Sequence, residues 1–285
     1  MATSFTVAHP GRRSGSRFWR DPAVPFIEAR EVQDGRHFSH AAHSHESFSI
    51  GAVTAGQSSY VNGALRCTVS HGNLVLMNPG AVHACNPLQD QRWAYFMLYV
   101  DTTWLGGLQH QLGISATGEF QPFCAMLSSD PQLFRALETL FVGLVDQHRA
   151  AAEKVDDCIT FFSLLLRRVP VTRVRHDHAQ APLAQVARYI REHCSEPLTL
   201  EQLSAVSELS PSYLIRVFKQ RYGLTPHAWL NDVRLQCARR QLREGLPIAD
   251  VAQANGFADQ AHLQRLFKRS LATTPGHYQQ QRDRL

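Results

Sequence analysis

The 285-residue chain has no run of about 18 consecutive apolar residues, so its sequence offers no membrane-spanning helix. The opening segment MATSFTVAHPGRRSGSRFWR lacks the apolar core of a secretory signal. Arg12-Arg13 is not followed by the apolar stretch of a twin-arginine export signal, so a cytoplasmic protein is expected. The six cysteines (Cys67, Cys85, Cys124, Cys158, Cys194, Cys237) include no C-x-x-C pair, which argues against a zinc knuckle or a disulfide frame and fits reduced thiols. Hydrophobic residues at 44% and charged residues at 19% lie near ordinary globular usage and exclude wholesale disorder or a collagen-like chain. The length suits two domains.

What the chain does have is a charge imbalance confined to one region. Residues 1–181 hold 15 basic and 15 acidic side chains, whereas residues 182–285 hold 14 and 9, so the whole net +5 sits in the last third. Such an excess has two readings, the footprint of a polyanion partner or a solvated helical surface.

Hydrophobic patterning divides the chain in the same place. Residues 1–22 are polar and Arg-rich and are expected to form a flexible arm. Alternation in Ser47–Val53 and short apolar runs at 74–77 and 95–100 read as strands, separated by turn signals at Asn62-Gly63, His71-Gly72-Asn73 and Asn78-Pro79-Gly80. Many short strands imply a sandwich or barrel. Helical spacing follows over 131–148, with Asp130 as N-cap and Pro131 at the first helical position, and again over 154–169. The expected organisation is a strand-rich domain over 23–169, a polar linker over 170–182, and a helical domain over 183–285, an α+β chain.

The helical domain contains a repeat. Arg216-Val-Phe218-Lys219, five residues, Thr225-Pro226, two residues and Trp229 recur 49 positions later as Arg265-Leu-Phe267-Lys268, five residues, Thr274-Pro275, two residues and Tyr278. Thr199 and Gln202 form a capping box ahead of one helix, and Ser210-Pro211 starts the next within helix-turn-helix distance. In the second copy Pro247 opens a helix, Asn255-Gly256 stops it and Asp259 caps the one that follows. The second helix of each copy buries Leu214, Val217 and Phe218, or Leu263, Leu266 and Phe267. The opposite faces carry Ser212, Arg216, Lys219 and Gln220, and Gln260, Gln264, Arg265, Lys268 and Arg269. Amide and guanidinium groups near the helix start suit base edges, and later cations suit phosphates. Residues 226–243 between the copies read as one helix about 27 Å long, a rod able to hold two reading helices about one DNA turn apart.

On the segments LTLEQLSAVSELSPSYLIRVFKQRYGLTPHAWL and PIADVAQANGFADQAHLQRLFKRSLATTPGHY, residues 183–282 resemble the double helix-turn-helix domain of the AraC/XylS family of bacterial transcription regulators. The resemblance places base-reading positions at Ser212 and Arg216 in the first unit and at Gln260, Ala261 and Arg265 in the second. It departs where the family often has Ser-Tyr-Phe-Ser and this chain has Ala261-His262-Leu263-Gln264.

Residues 37–100 more loosely resemble the cupin-like sensor of the same family, through His43-Ser-His45-Glu46 and Asn78-Pro79-Gly80-Ala-Val-His83. In metal-dependent cupin enzymes such histidines and a spaced Glu bind metal, but Phe48, Ser49 and Ile50 stand where that Glu belongs, and Glu46 points away from the pair. His43, His45 and His83 are therefore open to three readings: effector-pocket lining, a bound metal, or plain packing. Phe48, Trp93, Tyr95 and Met97 are candidate pocket walls. The resemblance implies a non-enzymatic, effector-responsive activator with a cupin-like barrel, no obligatory cofactor, and double-stranded DNA, a small effector, RNA polymerase and a second copy of the chain as partners. The alternative is a metal-dependent cupin enzyme with a helical appendage.

Overall fold

A computed structural model describes residues 16–88, 91–172 and 181–280. The strand-rich half contains β1 (Ser16–Trp19), β2 (Ile27–Val32), β3 (Phe48–Ala55), β4 (Gln57–Asn62), β5 (Leu65–Ser70), β6 (Leu74–Met77), β7 (His83–Pro87) and β8 (Ala94–Val100). Helix α1 (Thr102–Gln111), β9 (Leu127–Ser128), α2 (Pro131–Val145) and α3 (Ala151–Arg168) complete it. One sheet runs β1-β2-β8-β3-β6-β9 and the other β5-β4-β7, and the strand pairings are antiparallel. The expected α+β class holds.

Period-two alternation on β8 builds two cores from one strand. Tyr95, Met97 and Tyr99 face Tyr60 and Val69 of the smaller sheet, while Phe96, Leu98 and Val100 face the helices. Helices α2 and α3 seal that second face with Leu137, Leu140, Leu144, Phe161, Phe162 and Leu165. Asp130 caps α2 as expected, accepting from the Gln132 and Leu133 amides. Helix α1 went unread in the sequence because Gly106-Gly107 and Thr102-Thr103 have low helix propensity. Asp101 caps it, accepting from Trp104 N at 2.9 Å. Gly106 is required by packing, since a Cβ there would sit 2.3 Å from the Gly118 carbonyl oxygen.

The helical half comprises α4 (Ala181–Glu192), α5 (Leu200–Ser207), α6 (Pro211–Tyr222), α7 (Pro226–Glu244), α8 (Ile248–Ala254), α9 (Gln260–Leu271) and α10 (Pro275–Gln280). The repeat is now explained element by element. Thr225 and Thr274 cap α7 and α10, accepting from Ala228 N and His277 N, and the following prolines take the first helical position. The repeated aromatic residues close two small cores: Phe218 against Trp229 at 5.9 Å between ring centres, and Phe267 against Tyr278 at 5.4 Å.

Two expected boundaries change. Residues 16–19 of the expected arm are a strand, in register from Ser16↔Val32 to Trp19↔Ala29. Adjacent side chains of a strand point to opposite faces. Trp19 accordingly enters the sensor core, while Phe18 is 1% exposed in the core of the second helix-turn-helix unit. Residues 1–15 of the expected arm lie outside the described residues. The start of the expected linker is likewise tied down: Pro170 O accepts from Cys124 N and Thr172 N donates to Pro122 O, both at 2.8 Å. Residues 173–180 lie outside the described residues, and helix resumes at Ala181.

Candidate DNA-reading surface and effector pocket

Helices α6 and α9 bury one face and present the other. Leu214 and Phe218, and Leu263 and Phe267, are fully buried. Ser212, Arg216 and Lys219 on α6 and Gln260, Ala261, Arg265, Lys268 and Arg269 on α9 are all exposed. Asp259 caps α9, accepting from His262 N at 2.6 Å. Ser210 occupies the N-cap position of α6, but its hydroxyl makes no cap bond. Tyr213, missed in the sequence as a surface residue, is 45% exposed and carries the Arg216 guanidinium 5.1 Å from its ring centre. That contact holds the arginine on the outer face of the helix, where a cation over an aromatic ring gains about 0.5–1 kcal/mol.

Inside the sandwich the structure gathers the sequence-predicted histidines. His43 and His83 are bridged through their backbones, and the rings of His43, His45 and His83 lie 4.6–4.9 Å apart, centre to centre. They wall a cavity of about 40 Å³ with Arg30, His40, Trp93, Tyr95, Met97 and Tyr99. That volume holds about one water molecule. Trp93 and Tyr95 are stacked at 4.4 Å and line the cavity as expected. Phe48 does not: strand alternation turns it toward the helices, where it packs on Phe123 at 4.7 Å. Burial dominates the imidazole chemistry. Desolvation holds His40 down to about 3 and His83 to about 4, with His43 and His45 well below their ordinary range. All four are therefore neutral near pH 7.

Two family models match this chain: an AraC-like ligand binding domain over residues 26–158 and a helix-turn-helix domain over residues 203–281. The chain belongs to the AraC family of transcription regulators. Among curated relatives, an uncharacterised helix-turn-helix regulator YbfI of Bacillus subtilis (strain 168) is 25% identical over 78% of this chain and 80% of its own length. The transcriptional activator RhaS of Enterobacter sp. (strain 638) is 31% identical over 63% of this chain and 65% of its own. Apo ToxT of Vibrio cholerae shares the fold, with a TM-score of 0.58, 13% identity and coverage of 94% and 98% of the two chains.

In this AraC family regulator the pocket wall is also the domain interface. Arg30 donates to Leu271 O at the end of α9 at 2.8 Å, and His40 Nδ1 bonds Ser270 O at 3.0 Å. Tyr99 carries the Arg239 guanidinium of α7 at 5.1 Å, and Arg239 donates to His45 Nδ1 at 3.2 Å. At the centre lies Glu28, 4% exposed, accepting from Arg20, Arg239 and the Tyr278 hydroxyl, with Arg243 at 3.9 Å. Burial alone would raise its pKa. Arg20, Arg239 and Arg243 outweigh that and hold it near 2. Elsewhere in the interface, burial raises Asp232 to about 6 despite the Ser44 amide and hydroxyl and the Gln236 amide that bond it. A cleft of about 870 Å³ opens at Glu28, between Arg20, Glu28 and Tyr99 on one side and Gln236, Arg239 and Arg243 on the other. None of this interface was read from the sequence. Glu28 lies in a short strand with no local signal of its partners, and the distant cations that bury it follow no local period.

A resident metal fits the three histidines incompletely. His43 Nδ1 and His83 Nδ1 bond the Ala41 and Ala81 carbonyls at 2.8 and 2.9 Å, which leaves each Nε2 lone pair free for a ligand. His45 breaks the pattern. A guanidinium can only donate, so His45 Nδ1 is the acceptor and the ring proton sits on Nε2. Among the described residues no carboxylate completes the set, and Glu46 is 47% exposed and paired with Arg240.

Proposed function

We propose that this regulator is an effector-responsive activator that reads two successive major grooves through α6 and α9. The observation that carries the reading is the matched pair of exposed faces, Ser212/Arg216/Lys219 and Gln260/Arg265/Lys268/Arg269, mounted on two cores joined by the 19-residue α7. In this reading Arg216, Gln260 and Arg265 address base edges, Ala261 offers a methyl contact, and Lys219, Lys268 and Arg269 address phosphates. The AraC-like binding domain and the relatives named as activators support effector control and contact with RNA polymerase. Exposed Val142 and Ile159 on α2 and α3, at 64% and 39%, support pairing of two copies through these helices. The same relatives support a regulator acting on DNA in the cytoplasm rather than an enzyme. No described helix is long and apolar enough to cross a membrane.

The mechanism is linkage. Arg30, His40, His45 and Tyr99 serve both the pocket and the docking of α7 and α9. The cavity of about 40 Å³ admits nothing larger than about a water without moving those residues, so a small effector acts by repacking the wall. Repacking changes the grip on Arg239 and on the α9 carboxyl end, shifting the domains between docked and released arrangements. Couplings of this kind are typically about 1–3 kcal/mol. The test is duplex binding across a salt series: each neutralised phosphate contributes about −0.9 to the log–log slope. A steep negative slope is expected, and an affinity indifferent to salt would refute DNA binding.

A further inference from the structure

Helix α6 exposes apolar side chains where its counterpart in the repeat carries polar ones. At the 49-position offset, Tyr213, Ile215, Arg216 and Lys219 of α6 match His262, Gln264, Arg265 and Lys268 of α9. Tyr213 and Ile215 are exposed, and among the described residues α9 exposes no large hydrophobic side chain. Ile215 stands outside the core that Leu214, Phe218 and Trp229 form. Its β-branched side chain also lowers helix propensity. Neither packing nor helix formation therefore accounts for an isoleucine at this position.

Its neighbours on the helix surface do. Ser212, Ile215, Arg216 and Lys219 fall at i, i+3, i+4 and i+7, within an arc of about 100° at 3.6 residues per turn. Ala261, Gln264, Arg265 and Lys268 form the matching stripe on α9, and all eight side chains are exposed. Ile215 is thus a large apolar group set in a stripe whose cations suit a polyanion. On the base edges of the major groove the apolar target is the C5-methyl group of thymine. The other edge groups are donors and acceptors, which an aliphatic side chain would desolvate without pairing. Gln264 has the opposite character, since its amide can bond adenine N6 and N7 together.

We propose that Ile215 is a specificity-determining residue that packs on a thymine methyl group beside the base addressed by Arg216, while Gln264, at the equivalent position of α9, bonds an adenine edge. The two units then select different half-sites. This rests on the reading in which α6 and α9 enter successive major grooves. Removing one methyl group from water is worth about 0.8 kcal/mol, or about fourfold in affinity. The bidentate bond from Gln264 is worth about fivefold or more.

The test uses the full chain and a random-sequence duplex library, from which bound duplexes are selected and sequenced. In one selected duplex each thymine is then replaced singly by deoxyuridine, which deletes the methyl group and keeps the pairing edge. One replacement in the α6 half-site should weaken wild-type binding about fourfold, and the Ile215→Ala chain should be indifferent to that same replacement. Selection with Ile215→Gln should exchange this thymine for adenine, and Gln264→Ala should relax an adenine preference in the other half-site alone. Ile215 is exposed, so these substitutions leave the core of the unit intact, which thermal melts verify. If wild-type binding ignores every thymine methyl, or Ile215→Ala keeps the methyl dependence, the proposal for Ile215 is overturned. An unchanged base preference in Gln264→Ala overturns the role of Gln264. In both cases a steep salt dependence and a loss on Arg216→Ala would leave groove reading itself standing. Selection that yields no preferred sequence removes the groove reading and this proposal with it.

Discussion

Glu28→Gln is the sharpest perturbation of the domain interface. The amide keeps the volume and removes one negative charge from a site where Arg20, Arg239, Arg243 and the Tyr278 hydroxyl converge. The carboxylate pKa falls from 4.5 to about 2 in the folded protein, which converts to about 3 kcal/mol of interaction with the ionised form. Independently, removing one partner of a buried ion pair costs about 3–5 kcal/mol because the remaining charge stays desolvated. Glu28 is 4% exposed, so solvent screening does not discount either figure. The sign follows: a depressed carboxylate pKa stabilises docking above about pH 4.5 and loses that contribution as pH falls toward 2. At pH 7 the variant should therefore release α7 and α10 from the sensor while both domains stay folded. Hydrogen exchange at Arg239–Leu242 and around Tyr278 should rise about 100-fold or more, with exchange in β3 and β8 unchanged. Wild-type protection at α7 in Glu28→Gln would refute the claim that this carboxylate holds the domains together.

Other outcomes follow from the same geometry. Arg216→Ala and Arg265→Ala should each weaken specific duplex binding by about 1–3 kcal/mol, measured by titration on cognate and scrambled duplexes. Equal losses on both duplexes would make these side chains phosphate contacts instead. His83 stays neutral in the fold and is held near 4, so its contribution to sensor stability is full above about pH 6.5 and is lost as pH falls toward 4. Thermal melts in a His83→Gln chain should show a flatter acid limb, by up to about 3 kcal/mol; an acid limb as steep as wild type would exclude His83 as the cause. Metal analysis of the purified protein should find well under one equivalent of iron, manganese or zinc, because the bond from Arg239 occupies His45 Nδ1 and leaves the ring proton on Nε2. Stoichiometric metal would show that Arg239 yields, and turnover with it would favour the enzyme reading.

Much of the reading surface was legible because it depends on local rules. Asp259, Thr225 and Thr274 cap helices whose starts a sequence can announce, and period 3.6 separates Phe218 and Phe267 from Arg216 and Arg265. The histidine cluster was partly legible. His43 and His45 share a face by alternation, and His83 joins them through a backbone bridge forty residues away. Phe48 was misassigned because alternation tells which residues share a face but not which face meets the helices.

The sequence by itself determined the two domains, the repeated helix-turn-helix units, their outward cations and the approach of three imidazoles, since each rests on spacing along one element or on a repeated pattern. Only the tertiary structure decided that the two domains are docked. It placed Phe18 of a supposed arm in the core of the second DNA-reading unit and gave Glu28 three arginines from two domains. Those contacts join residues far apart in the chain, 250 positions in the bond from Tyr278 to Glu28. Their energy comes from desolvation and complementary charge in the assembled interface, and neither leaves a period in the chain.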